Sequence, residues 1–366
     1  MADSYLKTAI TARLRQIKAH DNYRSLRSPL SYPDGEDFID LSHNDYLSLR
    51  ADKNWQAELW EHCRGLPCGA GGSRLLGGEF FALQELEAQF AEFKCAPAAL
   101  YFNSGYAANE ACLPALAVAL EDSHFFSDAR NHASIIDGFR LAKIPANKRT
   151  IYPHLDMNAL EHGLRQSSAK LNVIITESIF SMDGDMCDLP LLMSLVARYR
   201  GLLVVDEAHA VGVRGERGAG LIEEQGIAHE QIISINTCGK ALGVCGAFVC
   251  SPVWFKDYLI NTARPFIFTT APSPWIAAAL SATLPRIQQL NFKRTQLRLF
   301  ADHIRAELRA KGFDTGKSCT QIIPVLATSS TQALSWSKEL ARQGIIAPAI
   351  RPPTVAQPRL RLSVSV

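Results

Sequence analysis

The chain has 366 residues, 47% of them hydrophobic and 20% charged, which is an ordinary globular composition. That length exceeds one small core, so about two domains are expected. The net charge is only +2, with scattered basic residues, so nothing points to nucleic acid or an anionic membrane as partner.

No apolar run reaches the roughly 18–20 residues of a membrane-crossing helix. The opening stretch, Met1 to Lys18, is polar and lacks the apolar centre of a signal peptide, so a cytoplasmic location is expected. The nine cysteines form no C-x-x-C pair, which argues against both a zinc site and a disulfide framework, and no metal is expected.

Taken in chain order, the first distinctive stretch is Gly69-Ala70-Gly71-Gly72-Ser73-Arg74-Leu75-Leu76-Gly77-Gly78. It is no dinucleotide fingerprint, because position 74 is Arg where glycine is needed and no apolar strand precedes it. A helix is predicted over 83–94. The run Ala99-Leu100-Tyr101-Phe102 then leads into Asn103-Ser104-Gly105-Tyr106-Ala107-Ala108-Asn109, a glycine turn opening a helix. Short apolar runs at 123–128, 173–177, 202–209, 232–237 and 246–250 read as strands buried on both faces, hence a largely parallel sheet. A helix over 189–200, with Pro190 in its first turn, lies between two of them. Alternation of this kind defines an α/β fold whose ligands bind beyond the carboxyl ends of the strands.

Past about residue 285 the pattern changes. One or two helices are predicted over 286–311, a short strand over 321–326, a helix over 332–343 and an edge-type strand over 359–366. The chain thus divides into an N-terminal helix and arm (1–48), a large α/β domain (49–284) and a smaller α+β domain (285–366).

The chemistry concentrates in two places. Asp206-Glu207-Ala208-His209 closes an apolar run, and Thr237-Cys238-Gly239-Lys240 follows another, thirty-four positions after Asp206. Together they offer an amine for a Schiff base, a hydroxyl for a phosphate, and a carboxylate and an imidazole for an aromatic ring. Pyridoxal phosphate needs those groups. Asp206 could keep a pyridine nitrogen protonated, although an aspartate here could equally cap a helix. Ala208 is small enough to let a flat ring lie close. His209 and Ser181 could meet the ring's phenolic oxygen, and His132, in Asn131-His132-Ala133-Ser134, could stack on its face. The backbone at Gly105 and Tyr106, with Thr237, could hold the phosphate. Cys238 and Cys245, which flank Lys240, read as packing residues. Gly239-Lys240 is followed by Ala241, so it is no P-loop, and no G-x-S-x-G elbow occurs.

On these residues the chain resembles the α-oxoamine synthases, enzymes of the aspartate-aminotransferase fold (fold type I) that use pyridoxal phosphate to join an amino acid to an acyl thioester. The resemblance covers nearly the whole chain. It includes His43-Asn44-Asp45-Tyr46-Leu47, the 69–78 loop, 102–109, 176–185, 206–220, 237–246, and Ile350-Arg351-Pro352-Pro353-Thr354-Val355 with Arg359-Leu360-Arg361. It implies that Lys240 carries the cofactor and later moves protons, that Asp206 pairs with the ring nitrogen, and that His132 stacks. It places Thr270 on the phosphate of a neighbouring copy's cofactor, which implies a homodimer with shared active sites. Arg24, Thr354 and Arg361, with His132, would meet substrate, and Arg27 could exchange with Arg24. The last segment points to the branch that condenses L-alanine with pimeloyl-CoA or a pimeloyl-carrier protein. Sister branches that use glycine or serine are the alternative, and a non-catalytic homologue acting as a partner subunit is a third. The joint presence of Lys240, Asp206, His209 and His132 argues against the third.

Three departures from the family pattern stand out. Leu83 occupies a position usually held by His. The link from Pro353 to Arg359 is short, which leaves the register of Arg359 and Arg361 open. Relatives continue beyond Val366 into a terminal helix.

Overall fold

The structure is a computed structural model that describes residues 2–19, 23, 24, 26 and 38–366; Arg27 and much of the expected N-terminal arm lie outside the described residues. Helix α1 (Ala2–Ala19) leads, followed by strand β1 (Ile39–Asp40) and helices α2 (Lys53–Cys63) and α3 (Phe81–Phe93). A seven-stranded sheet comes next in the chain: β2 (Ala98–Phe102), β3 (Ser123–Asp128), β4 (Arg149–Tyr152), β5 (Leu171–Glu177), β6 (Gly201–Asp206), β7 (Ile232–Thr237) and β8 (Ala247–Ser251), in the order β2-β8-β7-β6-β5-β3-β4. Only β8 runs against its neighbours, lying antiparallel to both β2 and β7.

The apolar runs have a direct cause in this architecture. Val173 and Ile175 of β5 face one apolar cluster with Val204, Ile233 and Ile235, while Ile174 faces another with Leu203 and Val205. A strand covered on both faces has no polar side to show. Each such Val or Ile contributes roughly 1.5–3 kcal/mol through burial. Helices α4 (Gly105–Ala119) and α5 (Ala133–Ala142) cover one face. On the other lie α6 (Met157–Gln166), α7 (Leu189–Arg198) and the short α8 (Leu221–Glu224), α7 turning Leu189, Leu192, Leu195 and Val196 inward at helical spacing. Asp188 caps α7 by accepting from Leu191 N, and Pro190 sits in its first turn. Leu83, the position usually held by His in the family, is fully buried here as a plain core residue on α3.

After β8 the chain forms α9 (Val253–Thr262), α10 (Arg264–Ile267), α11 (Pro274–Gln289) and α12 (Asn291–Ala310), so the region expected as one or two helices holds two, the first starting earlier than predicted. Ser273 sets that start by capping Trp275 N. A second sheet combines β9 (Ile322–Leu326), β11 (Ala349–Ile350) and β12 (Arg359–Ser363), with α13 (Ser330–Arg342) and the short β10 (Ile345–Ile346) between β9 and β11.

The edge-strand reading of 359–366 is corrected. β12 is the central strand, antiparallel to β11 on one side and β9 on the other, and it ends at Ser363. Charged Arg359 and Arg361 gave the segment the look of an edge. Both are buried, with Arg359 on Asp183 and Arg361 on the Ser181 carbonyl and Asn44.

Candidate active site

Parallel strands end on one side, and that is where the side chains collect. Glu177, Asp206 and Thr237 are the last residues of β5, β6 and β7. Glu177 and Asp206 are register partners on neighbouring strands, so two carboxyl groups stand side by side.

Asp206 is buried and held by two donors: Oδ2 accepts from Asn109 Nδ2 at 2.8 Å, and Oδ1 from Ala208 N at 2.9 Å. Asn109 also donates to Ser134 Oγ at 3.0 Å, and Ser134 Oγ lies 2.8 Å from His132 Nδ1. His132 therefore shares one hydrogen-bonded frame with Asp206. The backbone N–H of Ser134 also points to His132 Nδ1, at 3.2 Å, which makes that nitrogen an acceptor and fixes the ring at the start of α5. Burial holds the His132 pKa below the ordinary histidine value; Asp206 acts against that shift and Lys240 adds to it.

Lys240 Nζ lies 2.8 Å from His209 Nε2, and His209 Nδ1 lies 2.6 Å from the Tyr46 hydroxyl. Burial, then the neighbouring cations Lys240 and Arg361, keep His209 neutral by pushing its pKa well down. A Lys240 ammonium donating to Nε2 leaves the His209 proton on Nδ1, directed at Tyr46 Oη. The Tyr46 hydroxyl in turn donates to Asn44 Oδ1 at 3.1 Å, which also accepts from Arg361 Nη2 at 3.0 Å. A continuous line of hydrogen bonds thus runs from Lys240 to Arg361. Gln321 steadies its middle by donating to the His209 carbonyl at 2.9 Å.

Lys240 itself is displaced from ordinary lysine behaviour. Burial strips water from its ammonium and lowers the pKa to about 8, against the raising effect of Asp206 and Glu177. Glu177 moves the other way: burial first, then the Asp206 carboxylate, hold its carboxyl well above the usual glutamate range.

Past the ends of β2 and β7, a helix start and a hydroxyl come together. Ser104 caps α4 by accepting from Ala107 N at 3.1 Å. Gly105 begins the helix, and a Cβ there would fall 2.3 Å from Thr237 Oγ1, so only glycine lets the helix start and the hydroxyl close on one cradle. Tyr106 follows in the first turn of α4, and its hydroxyl turns out to Asp137.

Other expected residues fall in different surroundings. Ser181 is buried, and its backbone carbonyl accepts from Arg361 Nε at 2.6 Å. Arg24 and Thr354 meet each other, Nη2 to Oγ1 at 3.1 Å, and not the Lys240 group. Thr270 is exposed; its carbonyl accepts from Asn103 Nδ2 at 3.0 Å, and it bridges Ser73 of the glycine-rich loop. Arg74, the residue that breaks the dinucleotide pattern in that loop, is instead buried against Glu79 and Glu87.

Sequence reasoning assigned no role to Asn44, Tyr46, Asn109 or Glu177. Their motifs stood out, but each role depends on a partner far away in the chain, such as the 163 positions between Tyr46 and His209.

The donor set fits pyridoxal phosphate. A lysine with a lowered pKa stands near a buried aspartate that no Lys or Arg neutralises by direct contact among the described residues. A helix-start cradle and an imidazole complete the set. Such a lysine, aspartate and cradle define the class of aminotransferase-fold enzymes. The chain belongs to the aminotransferase class I and II family, whose model matches residues 36–366, and within it to the α-oxoamine synthases. It is 41% identical over 368 residues to a putative 8-amino-7-oxononanoate synthase of Geobacillus kaustophilus, covering 99% of this chain and 93% of that one. It is 39% identical to the 8-amino-7-oxononanoate synthase of Geobacter sulfurreducens, covering 97% and 92%. Among solved structures, it resembles the 8-amino-7-oxononanoate synthase of Francisella tularensis with a TM-score of 0.77 and 30% identity, covering 90% and 92%. The serine palmitoyltransferase of S. paucimobilis, solved with bound PLP and myriocin, gives a TM-score of 0.86 and 25% identity, covering 98% and 92%.

Proposed function

We propose that this chain condenses L-alanine with a pimeloyl thioester, carried on CoA or on a carrier protein, to form 8-amino-7-oxononanoate with loss of the thiol and CO₂. This is a step of biotin synthesis. The carrying observation is the 41% identity to a putative synthase of that name, spanning 99% of this chain. Pyridoxal phosphate is the cofactor; when bound, it supplies an aldehyde for the amine and a protonated ring that spreads charge away from the substrate's α-carbon.

The chain's own residues do the rest. Lys240, with its pKa lowered to about 8, holds the cofactor and, once freed, is neutral enough near pH 8 to take a proton from the α-carbon and later return one. His209 and Tyr46 keep its amine aimed. Asp206, fixed by Asn109, would pair with the ring nitrogen and favour its protonated form. His132 and Ala208 bound the slot in which a flat ring fits. Arg361 offers its guanidinium to the substrate carboxylate, and His132, Arg24 and Thr354 also meet the substrate, the last two joined by a hydrogen bond.

Two copies pair, and the exposed Thr270 of each reaches the phosphate held by the other. Residues 49–284 and 285–366 act as a large and a small domain. The reaction runs in the cytoplasm, where thiols stay reduced; all nine cysteines are free, and no helix among the described residues is long and apolar enough to cross a membrane.

The rival reading is a glycine- or serine-using synthase. It draws on the higher TM-score to the serine palmitoyltransferase, 0.86 against 0.77. Backbone overlap is common to the fold and says little about the substrate. CoA release from pimeloyl-CoA by the loaded protein separates the two. Release with L-alanine, and far less with glycine or L-serine, is the expected outcome. Release with glycine or serine but not alanine overturns the alanine assignment.

A further inference from the structure

One buried titratable cluster has no part in the chemistry above. His154 follows β4 and stands between two carboxylates, with Nδ1 2.8 Å from Asp128 Oδ1 and Nε2 2.9 Å from Asp185 Oδ2. Its side chain is only 12% exposed, and those of Asp128 and Asp185 are 0% and 6% exposed. The Phe180 ring meets it edge-on at 4.4 Å. Asp128 ends β3 and also accepts from Leu155 N and Arg130 N. Asp185 belongs to the loop between β5 and α7, so the imidazole ties that loop to the sheet.

This loop is held from several sides. Phe180 N donates to the Asp185 carbonyl at 3.0 Å, and Gly184 N to the Phe180 carbonyl at 2.9 Å, which makes a tight turn over 180–185. Gly184 has φ +67°, and a Cβ there would strike the Ile322 carbonyl at 1.9 Å, so the turn lies flat against β9. Thr320 donates to the Gly184 carbonyl at 2.8 Å, while Asp183 binds Arg130 and Arg359. In the same turn Ser181 O accepts from Arg361 Nε at 2.6 Å and, with Asn44 Oδ1 on Nη2, sets the direction of that guanidinium, while Met182 O accepts from Arg359.

We propose that His154 is a positioning residue: as an imidazolium clamped between Asp128 and Asp185, it fixes the 180–185 turn and, through the Ser181 carbonyl, aims Arg361 at the substrate carboxylate. This rests on the reading of Arg361 given under Proposed function. A neutral imidazole carries one N–H, so it can donate to one carboxylate only and leaves the other without its donor. Burial opposes the charge, but hydrogen bonds and attraction from Asp128 and Asp185 win and raise the His154 pKa to about 9. The charged groups facing the ring are Asp128 from β3 and Asp185 from the turn. Nearby Tyr152, Cys187 and Cys319 are pushed up by burial and stay neutral near pH 7. The sign follows from the raised value. The clamp is complete at neutral pH and is lost as pH climbs through about 9.

The probe is propionate, which keeps the carboxylate of alanine but lacks its amine, used as an inhibitor of the holoenzyme against L-alanine across the pH range. The expected wild-type result is an inhibition constant that worsens as pH passes about 9. His154→Gln and Asp185→Asn should each weaken propionate roughly tenfold at neutral pH and remove that pH limb, since a displaced guanidinium binds poorly. The double variant should be no worse than either single one. The cofactor's absorption band should not change in any of them. Unchanged propionate binding in both single variants overturns the inference, as does retention of the pH limb in Asp185→Asn should His154→Gln fail to fold. Arg361→Lys separates the two ideas. If it weakens propionate at every pH while the other variants do not, the carboxylate reading stands and the His154 inference falls. If it leaves propionate binding intact, the carboxylate reading itself fails.

Discussion

Two adjacent carboxylates and two buried lysines show how this chain separates structure from chemistry. Glu207 turns to one face of the sheet and meets Lys94; both side chains are fully buried, and Lys94 also donates to the Ala219 carbonyl. The other oxygen of Glu207 accepts from Leu221 N at 2.7 Å and Ile222 N at 3.2 Å. Both carboxylate oxygens are taken by donors from this chain, so the pair serves to hold the turn in place. Asp206 faces the opposite side and, among the described residues, receives only Asn109 and Ala208 N. Lys240 meets a neutral imidazole rather than a carboxylate. A charge left partly unanswered in a buried place is a charge available to a ligand. The contrast therefore lies in how many partners each group was given, since burial is common to both regions.

The sharpest way to break that comparison is at the lysines themselves. Lys240→Ala should lower turnover by at least about 10⁴-fold, because one change removes both the cofactor's anchor and the proton carrier, while the thermal midpoint holds. CoA release and a melting curve read both. Lys94→Met should do the reverse. It leaves Glu207 buried and unpaired, which costs about 3–5 kcal/mol of stability by denaturant unfolding, and Lys94→Met combined with Glu207→Gln should recover part of that loss.

Smaller effects sharpen the same contrast. Asp206→Asn keeps the shape but not the charge and should lower kcat by about 10²–10³-fold with little change in melting temperature. In the apoprotein, uptake of pyridoxal phosphate should quicken as pH rises and level off above about 8, because the neutral amine is the nucleophile. The sign for stability agrees. The folded lysine loses its proton below the ordinary value of about 10.4, so between those two pH values the contribution of Lys240 to stability rises with pH, while that of His154 falls up to about 9; the difference between wild type and Lys240→Ala isolates the lysine. Stopped-flow absorbance and pH-dependent unfolding measure each.

Much of this was legible in the sequence, for reasons that can be named. Strands covered on both faces, such as β5 and β7, carry unbroken apolar runs, and their last residues fall where ligands bind. Asp206 and Thr237 are such last residues and Lys240 lies three positions past Thr237, which is what made them candidates together. β4 was not legible, because only Tyr152 of its four residues is fully buried and it lies at the edge of the sheet. The central place of β12 was not legible, because Arg359 and Arg361 bury their guanidinium groups on partners from a distant loop. The pairing of Arg24 with Thr354, 330 positions apart, and of Tyr46 with His209 depends on the whole fold. No local pattern could have carried either.

The most direct test compares the two lysines in one experiment. The protein loaded with pyridoxal phosphate would be reduced with borohydride, digested, and its modified peptide located by mass spectrometry. The expected result is a single pyridoxyl group on Lys240, with Lys94 untouched. Label on Lys94, on scattered surface lysines, or on none would contradict the assignment of Lys240 as the residue around which this site is built.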